Sequence, residues 1–516
     1  MSTSVAQTSP LPGRGRARWG LAASIVGLLG ASAAAQEGPA GTDQTPVGIM
    51  VGGMAAYVDG LVADTAEWRG QRVPWPTRAD RPELGLAASS WEQPLAIHGT
   101  LDERRASLWI AGLEQAFEIL SEEGWPLPPS DGGRGGTDGF DVYVLEGPVT
   151  MMHDDGLDDP GASSRRDRRS AIRLDAALFD AVQDAAIVHA LVSDDVPDDR
   201  IEACALQLVA SAGLFASDPG EAESVREATA TWLAWNETGF FGCDEDALLR
   251  QQSASFRAFV TNDARDGEGG ALFVGAMAAR HDGRETGFMR DVWLMARQHT
   301  RDGGELQGEP DVLRMLGQAA TLAHDPMDRV VESLAVARYF AGGREGAARA
   351  DVPLVRALPV GARVPVFVTS SWERLPRTLR PGEDSPPLEP WGSAYATVDV
   401  RSAPPGAQLR VWLDGEMGTE WSLVAVRLDA HGEERGRTRA PPTRGARSFI
   451  PVELGEGIAE VVLVVTNLPD DDDPRDRAAG ASADTRIAGR VHRTGLDPDV
   501  PGPGPHGFRL IVDRGP

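Results

Sequence analysis

The sequence predicts an α+β protein, in which a mostly helical domain with a small sheet is followed by an all-β, sandwich-like domain. Three observations support this fold class. Apolar residues recur at helical spacing in residues 101–124 and again across 175–342. The segment FDVYVL at 140–145 has the composition of a short strand. Beyond residue 352 the pattern changes to short strand-like runs separated by turn residues, which is typical of a sandwich.

The N-terminal residues predict export. Three arginines and no acid precede the apolar stretch GLAASIVGLLG (20–30), and the alanines at 33–35 supply the small residues of a cleavage site. We therefore expect residues 1–35 to be a cleavable signal peptide and the mature protein to be periplasmic or extracellular. No later apolar run reaches the length of about 18 residues that indicates a membrane helix, so no integral membrane segment is expected after cleavage.

The rest of the chain divides into four segments by composition and periodicity. They are an extended lead-in (36–100), an α+β domain (101–350), a β segment with a Pro-rich connector (351–391) and a β-sandwich-like domain (392–516).

The helical pattern is interrupted by turn residues that separate one helix from the next. The predicted helices lie near 101–124, 176–192, 199–215, 222–238, 246–260, 270–280, 287–298, 310–322 and 327–341. Short strands are predicted at 140–145 and 171–174 in the α+β domain, and farther along at 360–369, 395–400, 409–413, 421–428, 448–452 and 460–465.

Charge and composition exclude several functions. The formal net charge is -27 at pH 7, which argues against a nucleic-acid partner because phosphate binding needs clustered positive charge. All fifty basic residues are arginine. Without a side-chain amine the chain has no Schiff-base chemistry, no P-loop lysine and no Ser-Lys dyad.

The segment VREATATW (225–232) resembles the second helix of the secreted HExxH-type zinc proteases, where such a stretch offers a glutamate as the third zinc ligand. The order of neighbouring elements is also similar: a helix, a Gly-rich loop, two strands, a hydrophobic helix and then this one. The resemblance covers about residues 100–470. It implies a zincin-like fold for the α+β domain, with Glu227 at the ligand position.

The zinc-binding histidines of that family are missing. A zinc protease of this type needs two histidines four residues apart on one helical face, with a glutamate beside the first. In the upstream helix, IEACALQLVASAGL (201–214), the favoured register puts Gln207 and Ser211 at the histidine positions and Leu208 at the glutamate position. No histidine occurs in residues 190–280, so no register restores the site.

Each of these residues also has a structural explanation. Gln207 and Ser211 would then be polar residues that find hydrogen bonds in a buried helix. Glu227 would be an acid on the surface or in an N-terminal helical turn, favoured by the helix dipole, and His189 a structural histidine beside an apolar face.

The two cysteines, Cys204 and Cys243, are an even pair, which favours a disulfide in an exported chain. Cys204 lies one helical turn before Gln207, and Cys243 follows the helix of Glu227. A bond between them would tie together the two helices that zinc joins in an active relative. We hypothesise that the disulfide took over this stabilising role.

Three functions stay open at this point. The leading hypothesis is an exported, non-catalytic metalloprotease-like protein without a cofactor, which binds an unknown protein or cell-surface ligand or has a structural role. The second is an active metallohydrolase that binds zinc through distant ligands such as Glu227, His189 and His281. The third is an adhesion or interaction protein that acts through its C-terminal β-domain.

Overall fold

The structure, a computed structural model, describes most of the chain after residue 46. The described residues are 47–51, 54–58, 65–68, 71–74, 84–128, 137, 139–147, 149–152, 165–168, 170–177, 186–217, 223–244, 246–259, 267–281, 287–296, 312–344, 352–380, 386–416, 419–441, 443–444, 447–468 and 506–515. The predicted signal peptide (1–35) lies outside them.

The fold is α+β, with nine helices in the described ranges. They are α1 (Glu103–Glu123), α2 (Ile201–Ser217), α3 (Glu223–Thr238), α4 (Asp246–Ser253), α5 (Ala271–His281), α6 (Gly287–Ala296), α7 (Val312–Leu322), α8 (Met327–Tyr339) and α9 (Pro353–Ala357). Eight of the nine predicted helices are confirmed, with ends within two residues except at the C-terminus of α4. Among the described helices, none has both the length and the apolar character needed to cross a membrane.

The strands before α2 form one central sheet and three separate hairpins. They are β1 (Val47–Val51), β2 (Met54–Val58), β3 (Thr65–Trp68), β4 (Gln71–Pro74), β5 (Leu86–Ser89), β6 (Leu95–His98), β7 (Phe140–Leu145), β8 (Val149–Met152), β9 (Arg165–Arg168), β10 (Ser170–Ala177) and β11 (Ala186–Ser193). The central sheet has the order β10-β11-β7-β6-β5. Strand β7 pairs in parallel with both of its neighbours, whereas the edge strands β10 and β5 pair antiparallel with theirs.

The predicted helix at 176–192 is wrong. The described parts of this segment are the end of β10 and most of β11. Strand β11, with the sequence AIVHALVS, pairs in parallel with β7. Strands in parallel pairing are covered on both faces and have near-continuous apolar runs, which periodicity cannot distinguish from a buried helix.

The predicted end of the extended lead-in, at residue 100, lies too far along the chain. Strands β5 and β6 lie within residues 36–100, yet β6 pairs with β7 and its four residues are buried. The α+β domain therefore begins before residue 101. The strands were missed because each has only four residues, which is too short to show a clear alternation.

Helices α1 and α2 pack closely against each other. Helix α1 begins at Asp102, whose carboxylate accepts a 2.7 Å hydrogen bond from the Arg105 N–H, which caps the helix. Gly112 of α1 faces α2, where a Cβ atom would lie 3.3 Å from the Ala205 Cβ. Of the described side chains of α2, only Glu202 is exposed, and a helix that is apolar all round must lie inside the core.

The C-terminal strands form two sheets. Their strands are β12 (Val366–Ser371), β13 (Arg377–Leu379), β14 (Ser393–Asp399), β15 (Gln408–Gly415), β16 (Glu420–Asp429), β17 (Glu434–Arg439), β18 (Thr443–Arg444), β19 (Arg447–Glu453), β20 (Ile458–Leu468) and β21 (Phe508–Arg514). A six-stranded sheet has the order β12-β14-β20-β16-β17 with β18 beside β16, and a four-stranded sheet has the order β13-β21-β15-β19. Side chains of both sheets, such as Leu463 and Val411, belong to one hydrophobic cluster.

The predicted connector at 351–391 is not separate from the C-terminal sheets. Strand β12 pairs with β14, and β13 pairs with β21. Trp391 instead packs in the main helical core. The C-terminal sheets therefore include two strands that lie before residue 392, and the prolines near the short strand β13 hide it from a prediction based on composition.

Helix α8 contacts both the helical core and the six-stranded sheet. Its Glu332 carboxylate accepts hydrogen bonds from Ser422 and, at 2.7 Å, from Arg439. The Tyr395 hydroxyl on β14 donates a 2.7 Å bond to the Ala335 carbonyl. Burial raises the pKa of Tyr395 to about 12, so its phenol keeps the donated proton at neutral pH.

We expect Tyr395→Phe to lower the free energy of unfolding by about 1 kcal/mol. The loss is modest because the Ala335 carbonyl, as a helical group, keeps its intrahelical hydrogen bond. Urea denaturation of the full chain measures the change. Tyr339→Phe is the matched control, since no hydrogen bond of its hydroxyl occurs within the described structure, and it should change stability by less than about 0.5 kcal/mol. Equal effects of the two variants would contradict this role of Tyr395.

Candidate functional site

Ser211 and Glu227, two residues of the predicted zincin remnant, are in contact where α2 packs on α3. The Ser211 hydroxyl donates a short hydrogen bond to the Glu227 carboxylate oxygen Oε1. Ser211 is 1% exposed and Glu227 is 8% exposed. Glu227 is therefore a buried acid of the helix interface, and the reading of it as a surface acid is wrong.

Arg226 completes this polar cluster. Its Nε–H lies 3.3 Å from the Ser211 Oγ and 3.4 Å from the Glu227 Oε1. The side chains of Arg226 and Glu227 are 7% and 10% exposed, so their charges are close together in a region with little water. The guanidinium provides a positive charge next to the carboxylate, which offsets part of the cost of burying it.

Gln207 has a different partner. Its side-chain oxygen accepts a 2.7 Å hydrogen bond from the Cys243 N–H. Gly242, at a φ of +73°, lies directly against this side chain, and a Cβ atom there would be 2.1 Å from the Gln207 oxygen. The Gln207 amide nitrogen is buried and has no hydrogen-bond partner in the described structure.

Leu208 is the residue that the resemblance puts at the position of the catalytic glutamate. It is 2% exposed and belongs to the main hydrophobic cluster. A leucine cannot accept a proton from water, so the position supplies packing and no general base.

Cys204 and Cys243 form a disulfide, as predicted. Both cysteines are buried. The bond joins α2 to the segment that follows α3, and thus fixes the same segment that Gln207 binds. The two contacts act together, because each holds Cys243 against one face of α2.

The histidines lie elsewhere. His189 on β11 is fully buried and meets the edge of the Tyr143 ring at 5.4 Å between centroids. His281 ends α5 and stacks on Phe288, and burial lowers its pKa. Within the described residues, no group of three or more His, Cys, Asp or Glu side chains is arranged to hold a metal ion.

A second buried polar cluster was not predicted. On the sheet face opposite the helices, the His98 Nε2 lies 2.7 Å from the Asp141 Oδ1, and Asp141 also accepts hydrogen bonds from the N–H and hydroxyl of Thr137. The His98 ring stacks on Tyr143. The alternation of residues along β6 and β7 would have placed these residues on one face, if β6 had been recognised as a strand.

The chemistry of the Ser211 cluster is that of a structural contact. A serine that donates to a carboxylate has the arrangement of an activated nucleophile. Here the carboxylate lies beside the Arg226 guanidinium, and the hydroxyl is 1% exposed, so a substrate has no access to it. The cluster therefore holds α2 and α3 together and does not present a reactive oxygen to a substrate.

Comparison with protein-family models and with curated protein sequences gives no match. The assignment to a zincin-like family therefore stays a prediction that depends on the segment at 225–232 and on the order of elements.

We expect Glu227→Gln to lower the free energy of unfolding by about 2 kcal/mol, because it removes the negative charge that lies beside the buried Arg226 guanidinium and weakens the hydrogen bond from Ser211. Chemical denaturation followed by circular dichroism measures the loss. Glu202→Gln on α2 is the matched control. Its carboxylate also accepts a side-chain hydrogen bond, but it is exposed, so the expected change is below about 0.5 kcal/mol. A Glu227→Gln protein as stable as the control would rule out a stabilising role for the pair.

The double variant Cys204→Ala/Cys243→Ala should unfold with a free energy lower by about 3 to 4 kcal/mol, because the bond closes a loop with a sequence separation of 39 residues. Denaturation curves with and without reductant provide the comparison. Intact-mass analysis of the native chain, alkylated under denaturing conditions, is the control. Without reductant no adduct should form, and with reductant two should form. Two adducts without reductant would show that the thiols are free.

Proposed function

We propose that the protein is an exported, non-catalytic relative of the secreted HExxH-type zinc proteases, with a binding or structural role. The signal-peptide pattern at residues 1–35 supports export, and the buried disulfide agrees with it, since such bonds persist in oxidising compartments.

The contacts of Glu227 are the main support for the proposed loss of the metal site. Glu227, which the resemblance puts at the third ligand position, is bonded to Ser211 and lies beside the Arg226 guanidinium. Ser211 stands where the resemblance puts the second histidine. A carboxylate that already has a cation and a hydroxyl as partners does not need a metal to offset its burial.

The disulfide supports the same proposal. In an active relative zinc would join the two helices through histidines and a glutamate, as the resemblance implies. Here a covalent bond joins α2 to the segment after α3, two turns of α2 away from Ser211. The stabilising role that a structural metal has in other proteins falls to this bond and to the Ser211 cluster.

The C-terminal sheets support the proposal of a β-sandwich domain with a binding role. Two sheets contribute side chains to one core, which is the construction of a sandwich. The six-stranded sheet is covered by α8 on its other face, whereas the outward face of the four-stranded sheet has partly or fully exposed side chains. This arrangement favours a role in adhesion or interaction as the activity that accompanies the inactive domain.

Metal analysis of the purified mature protein tests the proposal. After dialysis against trace zinc and then against metal-free buffer, plasma mass spectrometry should find far less than one zinc per chain, because the family's histidines are replaced. About one zinc per chain that disappears in Glu227→Ala would overturn the proposal and favour the metallohydrolase hypothesis. Variants of His189 and His281 would then identify the other ligands. Zinc that Glu227→Ala retains would be bound at another place and would leave the proposal intact.

A further inference from the structure

Four polar residues occupy matching positions on α2 and α3. Ser211 and Glu227 mark the faces on which the two helices meet, because their side chains are bonded to each other. One helical turn away, on the same faces, are Gln207 on α2 and Thr231 on α3. All four residues are at most 8% exposed. We call them the polar strip.

Gln207 and Thr231 lie at the same level of the helix pair. Ser211, in the second half of α2, contacts Glu227 in the first half of α3, whereas Gln207, earlier in α2, contacts Cys243, which follows α3. The two helices are therefore antiparallel. Four residues back along α2 and four residues forward along α3 cover the same distance, about 6 Å, in the same direction. This places Gln207 and Thr231 opposite each other.

Both residues have a buried polar group without a hydrogen-bond partner among the described residues. These groups are the Gln207 Nε2 and the Thr231 Oγ1. The other two threonines of α3, Thr229 and Thr238, donate to the carbonyls four residues earlier, at 2.9 and 2.7 Å. Thr231 makes no such bond, so its hydroxyl is available to the helix interface. Two unpaired groups at one level would destabilise the contact between α2 and α3.

We propose that one ordered water molecule is bound between α2 and α3, where it accepts a hydrogen bond from the Gln207 amide and bonds to the Thr231 hydroxyl. The two groups form no direct bond, so the space between them exceeds hydrogen-bond distance. An amide N–H and a hydroxyl are partners that an internal water can satisfy together. Such a water completes the hydrogen bonds of the region in which the resemblance places a metal.

The chemistry of this place selects water over an ion or a larger ligand. The amide and the hydroxyl are both neutral, so they do not balance the charge of an ion. The charged groups of the polar strip region, Arg226 and Glu227, already lie beside each other. A larger molecule would have to separate two core helices, since Gln207 and Thr231 are 1% and 0% exposed. The inference depends only on the contacts of α2 and α3 and does not rest on the proposed loss of zinc.

A crystal structure of the full mature chain, at a resolution that shows ordered water, tests the proposal. We expect a water within about 3.2 Å of both the Gln207 Nε2 and the Thr231 Oγ1. Thr231→Val keeps the shape of the side chain but removes the hydroxyl, so its crystal structure should lack this water. Its midpoint of thermal unfolding should fall by about 1 to 2 °C, because the water-mediated bond is lost. Thr231→Ser retains the hydroxyl and is the matched control, which should keep the water.

Three results would overturn the proposal. The first is electron density of the native chain that contains no water between the two groups. The second is a direct hydrogen bond between Gln207 and Thr231. The third is a Thr231→Val protein at least as stable as the native chain, since removal of an unpaired buried hydroxyl is neutral or stabilising. If Thr231→Val does not fold, the crystal structures of the native chain and of Thr231→Ser decide the question.

Discussion

Helix α8 must bury apolar residues on opposite sides, because it lies between the helical core and the six-stranded sheet. Val331 and Leu334 belong to the helical core, whereas Val336 and Tyr339 pack with residues of the sheet. No amphipathic helix with one apolar stripe satisfies this demand. This double burial couples the six-stranded sheet to the helical core, so we expect both parts to unfold together.

Polar contacts at α8 fix its orientation. Arg338 is fully buried, and its guanidinium donates to the Gln252 side chain at 3.0 Å and to the Gln251 carbonyl. Burial lowers the pKa of Arg338, and the Phe259 ring lies 5.1 Å from the guanidinium carbon. Apolar contacts alone would let the helix rotate or slide. The two hydrogen bonds of the buried guanidinium favour one arrangement, because a displacement of the helix would break them.

The sequence predicted the long helices because their apolar periodicity and turn residues agree, as α3 and α8 show. It missed strands whose composition is atypical. Strand β17, with the sequence ERGRTR, is an edge strand of charged residues, and β11 has the apolar character of a helix core. At the candidate site, the sequence analysis selected both Ser211 and Glu227, whose side chains are in contact. Arg226 was not identified, since the direction of a side chain across a helix interface depends on tertiary packing.

Gln207 and Gly242 are in close contact, and this limits the substitutions that either position can accept. A side chain at position 242 would collide with the Gln207 oxygen, and a residue at 207 without an acceptor in that place would leave the Cys243 N–H unpaired. Neither position can drift alone without a loss of stability. The two positions are therefore coupled, and a substitution at one of them would be tolerated only together with a compensating change at the other.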